Sequence, residues 1–268
     1  MSLRTRFAPS PTGPLHLGHA YSALLAHDTA RAAGGTFLLR LDDLDQSRAR
    51  PEWAAQIESD LAWLGLTWDG PVLRQSDRLP RYRAALAALW ERGLLYPCHC
   101  SRRDIEAAAS APQEGAPLHG PDGVIYPGTC RPAQPPGGPL PEGGALRLDM
   151  GRAAAAAGLD VTPLSYEETG VADTPGALGP DHFTRAIGDV ALARRGLGAS
   201  YHLAVVLDDA DQSITHVIRG ADLAPATPIH VLLQRLIGLP TPIYHHHRLI
   251  RDETGRRLAK RDDARAIA

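Results

Sequence analysis

The segment RFAPSPTGPLHLGHAYSALLAH, residues 6–27, carries three prolines, two glycines and two histidines in its first fourteen positions and then turns apolar with helical spacing. Residues 4–8 read as a short strand, residues 17–33 as a helix and residues 36–41 (TFLLRL) as a buried strand. Together they make a βαβ unit, which implies a parallel sheet with a right-handed crossover. The loop entering the helix leaves unpaired backbone N–H groups at the helix start, where hydrogen bonding and the helix dipole favour phosphate. His16 and His19 stand beside that position, and Gly13 and Gly18 let a nucleotide approach the backbone closely. Taken singly, the two histidines read as a surface residue and a helix cap; the weight lies in the stretch as a whole.

Working outward, 268 residues with 44% hydrophobic and 22% charged content allow one large globular domain, or one carrying an insertion. No apolar run nears the roughly 18 residues of a membrane span, and the first ten residues have no apolar core, so a cytoplasmic protein without membrane contact is expected. A net charge of −2 gives no global pull toward nucleic acid. Residues 51–64 (Trp53, Ile57, Leu61 and Leu64 on one face) and 81–92 read as packing helices. Residues 98–130 lose periodicity, and RPAQPPGGPLPEGG, residues 131–144, reads as a Pro/Gly linker, together suggesting an inserted subdomain. Beyond it, ALRLDM and YHLAVVLDD read as strands, with Asp208 and Asp209 closing the second near a pocket, while PIHVLLQRLIG reads as a helix. His245, His246 and His247 would alternate across a strand and so cannot easily share one ion; packing or solvated roles are expected of them.

Three cysteines, two of them in Cys98-His99-Cys100, argue against a disulfide framework and for metal ligation. With Tyr126-x-x-x-Cys130 they give three thiolates suited to structural zinc, for which His99 and His119 are chemically plausible fourth ligands.

His16-Leu17-Gly18-His19 resembles the H-I-G-H signature of class I aminoacyl-tRNA synthetases, and RFAPSPTGPLHLG is similar to their glutamyl and glutaminyl branch. The resemblance implies an α/β Rossmann-like catalytic core that takes ATP with Mg2+ at His16, Gly18 and His19. Arg257-Leu258-Ala259-Lys260-Arg261 resembles the mobile K-M-S-K-S loop, degenerate at its first lysine and both serines, with Lys260 at the second lysine position. A cation there can stabilise the α-phosphate as pyrophosphate leaves. The resemblance further implies a glutamate pocket of Arg6, Ala8, Ser10, Asp42, Tyr201 and Arg219, in which Asp42 stands where the family has glutamate. Arginine suits this work because its planar fork meets carboxylates bidentately. The pattern C-x-C…Y-x3-C resembles the zinc site of glutamyl-queuosine tRNA(Asp) synthetases, which implies Tyr126 as fourth ligand beside Cys98, Cys100 and Cys130.

The expected organisation is therefore residues 1–97 as the first half of the core, 98–144 as a zinc-binding insertion with its linker, and 145–268 as the remainder, without an anticodon-binding domain. The expected function is activation of L-glutamate with ATP and its transfer to the queuosine base at the wobble position of tRNA(Asp). Two alternatives stand beside it: a truncated glutamyl-tRNA synthetase charging a 3′ end, and an inactive synthetase paralogue that only binds.

Overall fold

The computed structural model describes residues 2–109, 119–173, 176–251 and 267. Its first half is built on β1 (Arg4–Phe7), α1 (Leu17–Ala32), β2 (Thr36–Leu41), α2 (Pro51–Trp63) and β3 (Leu73–Arg74), followed by α3 (Leu79–Glu91). Strands β1, β2 and β3 lie parallel in that order, with Arg4 opposite Thr36 and Phe7 opposite Leu39. Helix α1 buries only small side chains, Ala20, Ala23, Ala26 and Ala30, so its backbone approaches the sheet closely enough for the Thr5 hydroxyl to donate to the Ala26 carbonyl. Phe37, Leu39 and Leu41 of β2 and Ile57 and Leu61 of α2 complete this core, all fully buried.

The middle of the chain forms β4 (Leu95–Cys98), α4 (Arg102–Ala109), the hairpin strands β5 (His119–Gly120) and β6 (Gly123–Val124), β7 (Ala145–Leu148) and α5 (Met150–Ala156). Residues 98–130 are thus partly regular where no periodicity was legible: α4 buries no residue and leaves little apolar signal, and β5 and β6 are two residues each. Strand β7 lies between β4 and β8 (Ala191–Ala193) in an antiparallel sheet. Helices α3, α5, α6 (Tyr201–Asp211) and α7 (Thr227–Ile237) contribute to the larger core cluster around it.

YHLAVVLDD is a correction to the sequence reading: it forms helix α6, not a strand. Every residue from His202 to Asp209 is buried, so the helix has no solvent stripe over that run and its β-branched apolar sequence imitates a central strand. Asp208 and Asp209 accordingly sit inside the molecule on a helix rather than at a strand end.

Strand β9 (His216–Gly220) flanks β1, tied by the Thr215 N–H donating to the Arg4 carbonyl, and pairs in parallel with β10 (Ile243–His247). Residues 167–171 then run beside β10, where the Thr169 N–H donates to the Tyr244 carbonyl and the Val171 N–H to the His246 carbonyl. Gly170 is required there, because a Cβ would lie 2.2 Å from the His246 carbonyl oxygen. Parallel strands place their carboxyl ends at one edge, which is where ligands bind in such sheets. Arg6, Asp42, Arg219 and His246 all lie at or just beyond those ends.

Candidate active site

A cleft of about 490 Å³ opens at that edge. Arg6, Ala8, Ser10, His16, Gly18, His19, Asp42, Tyr201 and Arg219, gathered from four separate stretches of sequence, all line it. Lys260 lies outside the described residues.

His16 is the N-cap of α1, and its Nδ1 accepts from the Gly18 N–H at 3.1 Å. His19 reciprocates, its Nδ1 accepting from the His16 N–H at 3.2 Å, and the two rings stack with centroids 3.8 Å apart. This is a capping box in which imidazoles replace the usual serine and glutamate. Since each Nδ1 accepts a proton from backbone, each neutral ring carries its own proton on Nε2. The two rings therefore bring N–H donors to the cleft at the positive end of a helix, a combination that suits phosphate oxygens. Gly18 leaves room for the cap: a Cβ on it would fall 3.0 Å from His16 Cε1, a tight contact with the capping ring.

Beneath the cleft lies a compensated charge network. Arg6 meets Asp209 through two bonds, Nε to Oδ1 at 2.9 Å and Nη2 to Oδ2 at 3.2 Å, and Arg40 donates to the same Asp209 and, from Nε, to Asp42 at 2.8 Å. Asp208 accepts from Arg78 at 2.7 Å, from Gln75 and from the Tyr82 hydroxyl. Burial pushes the Asp209 carboxyl up, but Arg6 and Arg40 outweigh it and hold it below its ordinary value. Asp42 goes the other way: burial lifts it to about 6, only partly offset by Arg40. The backbone of Asp42 is pinned to the first loop by its N–H donating to the Pro9 carbonyl at 3.0 Å.

Arg219 differs from Arg6. It is 5% exposed, and all its hydrogen-bond partners among the described residues are neutral: His246 Nε2 at 3.0 Å, His230 Nδ1 at 3.2 Å, the Thr227 hydroxyl at 2.7 Å, the Leu223 carbonyl and the Tyr201 hydroxyl at 3.5 Å. Among the described residues no carboxylate stands within ion-pair distance of it, so its positive charge remains available to an anionic ligand. His246 has a packing role on β10, one of the two expected of it, with specific partners. It is fully buried between Arg219 and Glu168, whose carboxylate also accepts the His246 and Gly170 N–H groups. Burial and the Arg219 charge hold His246 and His230 below the usual imidazole range, so both stay neutral.

Away from the cleft, the sulfurs of Cys98, Cys100 and Cys130 lie within 4.8 Å of one another. Tyr126 brings its hydroxyl to 3.5 Å from both Cys98 and Cys100, and Cys100 Sγ is 3.4 Å from Cys130 Sγ. A zinc tetrahedron with Zn–S bonds of about 2.3 Å has edges of roughly 3.8 Å, so the four groups fit such an ion with Tyr126 at the fourth corner. Neither His99 nor His119 belongs to the cluster. Arg147 donates to Cys98 Sγ at 3.3 Å and lies 3.8 Å from the centre of the Tyr126 ring, a cation placed to favour anionic sulfur and oxygen. Burial raises the Cys130 thiol, but the Tyr126 hydroxyl and the His99 backbone outweigh it and bring it to about 7.

Comparison with known proteins bears on what this cleft is for. Residues 2–119 and 179–268 match the family described as tRNA synthetases class I (E and Q), catalytic domain. A glutamyl-Q tRNA(Asp) synthetase of Rhodobacter capsulatus is 66% identical over 267 residues, covering 98% of this chain and 93% of its own length. The chain belongs to the class I tRNA synthetase (E and Q) family, among the glutamyl-Q tRNA(Asp) synthetases. One from Nocardia farcinica is 46% identical, covering 98% of this chain and 77% of the relative. A crystal structure of a glutamate tRNA ligase from Elizabethkingia meningosepticum, in complex with its amino acid, superposes with a TM-score of 0.74 at 28% identity. That match covers 98% of this chain and 53% of the ligase, so the chain spans about half the ligase's length.

Membership in a class I synthetase family makes the chain an enzyme whose class works with ATP and Mg2+. No described helix is long and apolar enough to cross a membrane. Sequence reasoning missed Arg40, Glu168, His202, His230, His246 and the pairing role of Asp209. A charge count over the pocket could have found Asp209, because two buried arginines on adjacent strands demand a carboxylate; the histidines offered no such signal.

Proposed function

We propose that this enzyme activates L-glutamate as glutamyl-adenylate and transfers the glutamyl group to the queuosine base at the wobble position of tRNA(Asp). The observation that carries the reading is the contrast within the cleft between Arg219, buried with neutral partners, and Arg6, already bound twice to Asp209. A cation with only neutral partners beside Tyr201 suits a substrate carboxylate; Asp42, Ala8 and Ser10 line the same cleft, and the Asp42 carboxylate suits an ammonium. Arg6 then serves the pocket chiefly by orienting Asp209 and Arg40. A glutamate carboxylate oxygen attacks the α-phosphorus of ATP, the bond to the bridging oxygen breaks, and pyrophosphate leaves. The Nε2–H groups of His16 and His19, with Lys260, stabilise the charge on the phosphate oxygens. Mg2+ held with ATP supplies further neutralisation of the triphosphate. A queuosine hydroxyl next attacks the acyl carbon, releasing AMP.

Residues 98–144 are proposed as a metal-binding insertion, with Cys98, Cys100, Cys130 and Tyr126 holding one structural zinc; the antiparallel pairing of β4 with β7 at its two ends supports that boundary. Purified protein is expected to hold about one zinc per chain, and Cys130→Ser to abolish it with a lowered Tm, read by atomic absorption and thermal melting.

ATP–pyrophosphate exchange with glutamate in the absence of tRNA, followed by transfer of labelled glutamate to tRNA(Asp) with and without queuosine, tests the whole reading. Exchange together with queuosine-dependent labelling is expected. Labelling of queuosine-free tRNA through a 3′ ester overturns the acceptor, and absence of exchange overturns catalysis.

Asp42 sets a pH limit. With its carboxyl at about 6, the group is charged at pH 7 and becomes neutral as pH falls through 6, losing its attraction for the substrate ammonium. Accordingly kcat/KM for glutamate is expected to fall tenfold per unit below about pH 6. Asp42→Asn should lower the plateau and remove that acid limb from the pH profile.

A further inference from the structure

The hydrogen bonds leaving Arg219 have a fixed direction, because a guanidinium can only donate. Arg219 Nη1 donates to His230 Nδ1 at 3.2 Å, so the proton of neutral His230 sits on Nε2. That Nε2 faces His202 Nδ1 at 3.1 Å, which must accept, so His202 carries its proton on Nε2. His202 Nε2 in turn lies 3.2 Å from Asp122 Oδ1. One donor at the cleft thus fixes two tautomers in succession and ends on a carboxylate. Both imidazoles are nearly inaccessible, at 4% for His202 and 2% for His230. Two buried imidazoles linked nose to tail are costly to leave unpaired, so the chain has one arrangement that satisfies every atom.

The end of this chain of bonds lies in the insert. Asp122 is in the turn between β5 and β6, four residues before Tyr126; its side chain is 28% exposed, and Arg194 lies 3.6 Å from it. The class I family model matches residues 2–119 and 179–268, so Asp122 lies in the stretch it leaves unmatched, whereas His202, Arg219 and His230 lie within the match. We propose that Asp122, His202 and His230 form a positioning relay that holds the Arg219 guanidinium toward the substrate carboxylate and makes the cysteine-bearing insert a structural part of the glutamate pocket. This rests on the assignment of Arg219 to glutamate.

None of the three touches substrate in this arrangement; they act through Arg219. Losing Asp122 releases His202 to rotate or exchange its tautomer, His230 can then present an N–H to Arg219, and two donors facing each other push the fork out of register. The consequence is confined to the ligand that Arg219 holds: glutamate affinity falls while ATP affinity does not.

The test uses full-length enzyme and measures glutamate and ATP KM values in pyrophosphate exchange for Asp122→Ala, His202→Leu, His202→Asn and Arg219→Lys, with Tm for each. The glutamate KM is expected to rise about tenfold in Asp122→Ala and His202→Leu, with the ATP KM unchanged. His202→Asn, whose Oδ1 can accept from His230 in place of Nδ1, should return to within about threefold of the parent. Imidazole 15N NMR should report His230 as the Nε2–H tautomer in the parent and an altered state in His202→Leu. The relay is overturned if Asp122→Ala and His202→Leu keep the parental glutamate KM while Arg219→Lys raises it. Equal impairment of the Leu and Asn variants at reduced Tm assigns His202 to packing and likewise overturns it. A parental glutamate KM in Arg219→Lys instead overturns the glutamate assignment on which the relay depends. Asp122→Ala, altered at a partly exposed turn, keeps the test open should a His202 variant fail to fold.

Discussion

Replacing Arg219 by lysine is expected to lower kcat/KM for glutamate by about 100-fold while leaving the ATP KM within about twofold of its original value. Charge is conserved in this exchange, so the loss measures geometry. Arg219 divides its donors among His246, His230, Thr227 and the Leu223 carbonyl, with Nη1 also 3.5 Å from the Tyr201 hydroxyl at the cleft. A lysine ammonium has three donors on a flexible stem and cannot meet two imidazoles, a hydroxyl and a substrate carboxylate together. It would leave His246 or His230 without its donor in a site closed to water, and a buried unsatisfied group of this kind costs about 1–3 kcal/mol. That cost falls on stability; the loss in kcat/KM comes from the charge-assisted contact to the substrate carboxylate, and 100-fold corresponds to about 2.8 kcal/mol at about 1.4 kcal/mol per tenfold. Steady-state exchange kinetics with varied glutamate and fixed ATP give the number directly; an unchanged glutamate KM would remove Arg219 from the substrate pocket.

The βαβ unit at the N-terminus was legible because its elements have solvent-independent signatures: a Pro/Gly loop, a run of small apolar residues and a strand whose Phe37, Leu39 and Leu41 are wholly enclosed. The cleft residues were legible through the resemblance of short contiguous motifs, and the structure draws those stretches to one sheet edge. What escaped was everything that depends on contacts between distant positions. Helix α6 reads as a strand in the sequence because burial on all sides erases its period. His246 looked like one of three equivalent neighbours, yet the register of β10 against β9 sets it opposite Arg219, and Gly170 brings Glu168 up behind it. Asp122, His202, Arg219 and His230 are linked across 108 positions of sequence, from 122 to 230, by bonds whose direction only the assembled structure defines. Residue chemistry suggested which side chains could meet a carboxylate or a phosphate; which of them still had charge to offer was decided by partners elsewhere in the chain. Arg6 and Arg219 read alike in sequence, and Asp209 makes them different.

The largest effect on chemistry is expected at His19, and it can be separated from the effect on the fold. His19 is given two roles: its Nδ1 accepts the His16 N–H and so closes the cap of α1, and its Nε2–H is the donor proposed for phosphate. Removing both in His19→Ala is expected to lower kcat for adenylate formation by about 100- to 1000-fold, the cost typical of losing one preorganised donor to developing charge. It should also lower stability by about 1 kcal/mol through the cap. His19→Asn divides the two roles, since an asparagine Oδ1 can still accept the backbone proton but its amide does not reach where Nε2 stood. A parental Tm with kcat still reduced in His19→Asn assigns the imidazole to the phosphate; recovery of both together would mean that His19 acts only by capping the helix. The distinction has force because the two rings stack and each accepts a backbone N–H. With the rings 3.8 Å apart and each anchored to backbone, neither donor has to be organised when the triphosphate arrives. Preorganisation of that kind contributes to rate rather than to ground-state affinity, so the loss should fall on kcat and leave the glutamate KM nearly untouched.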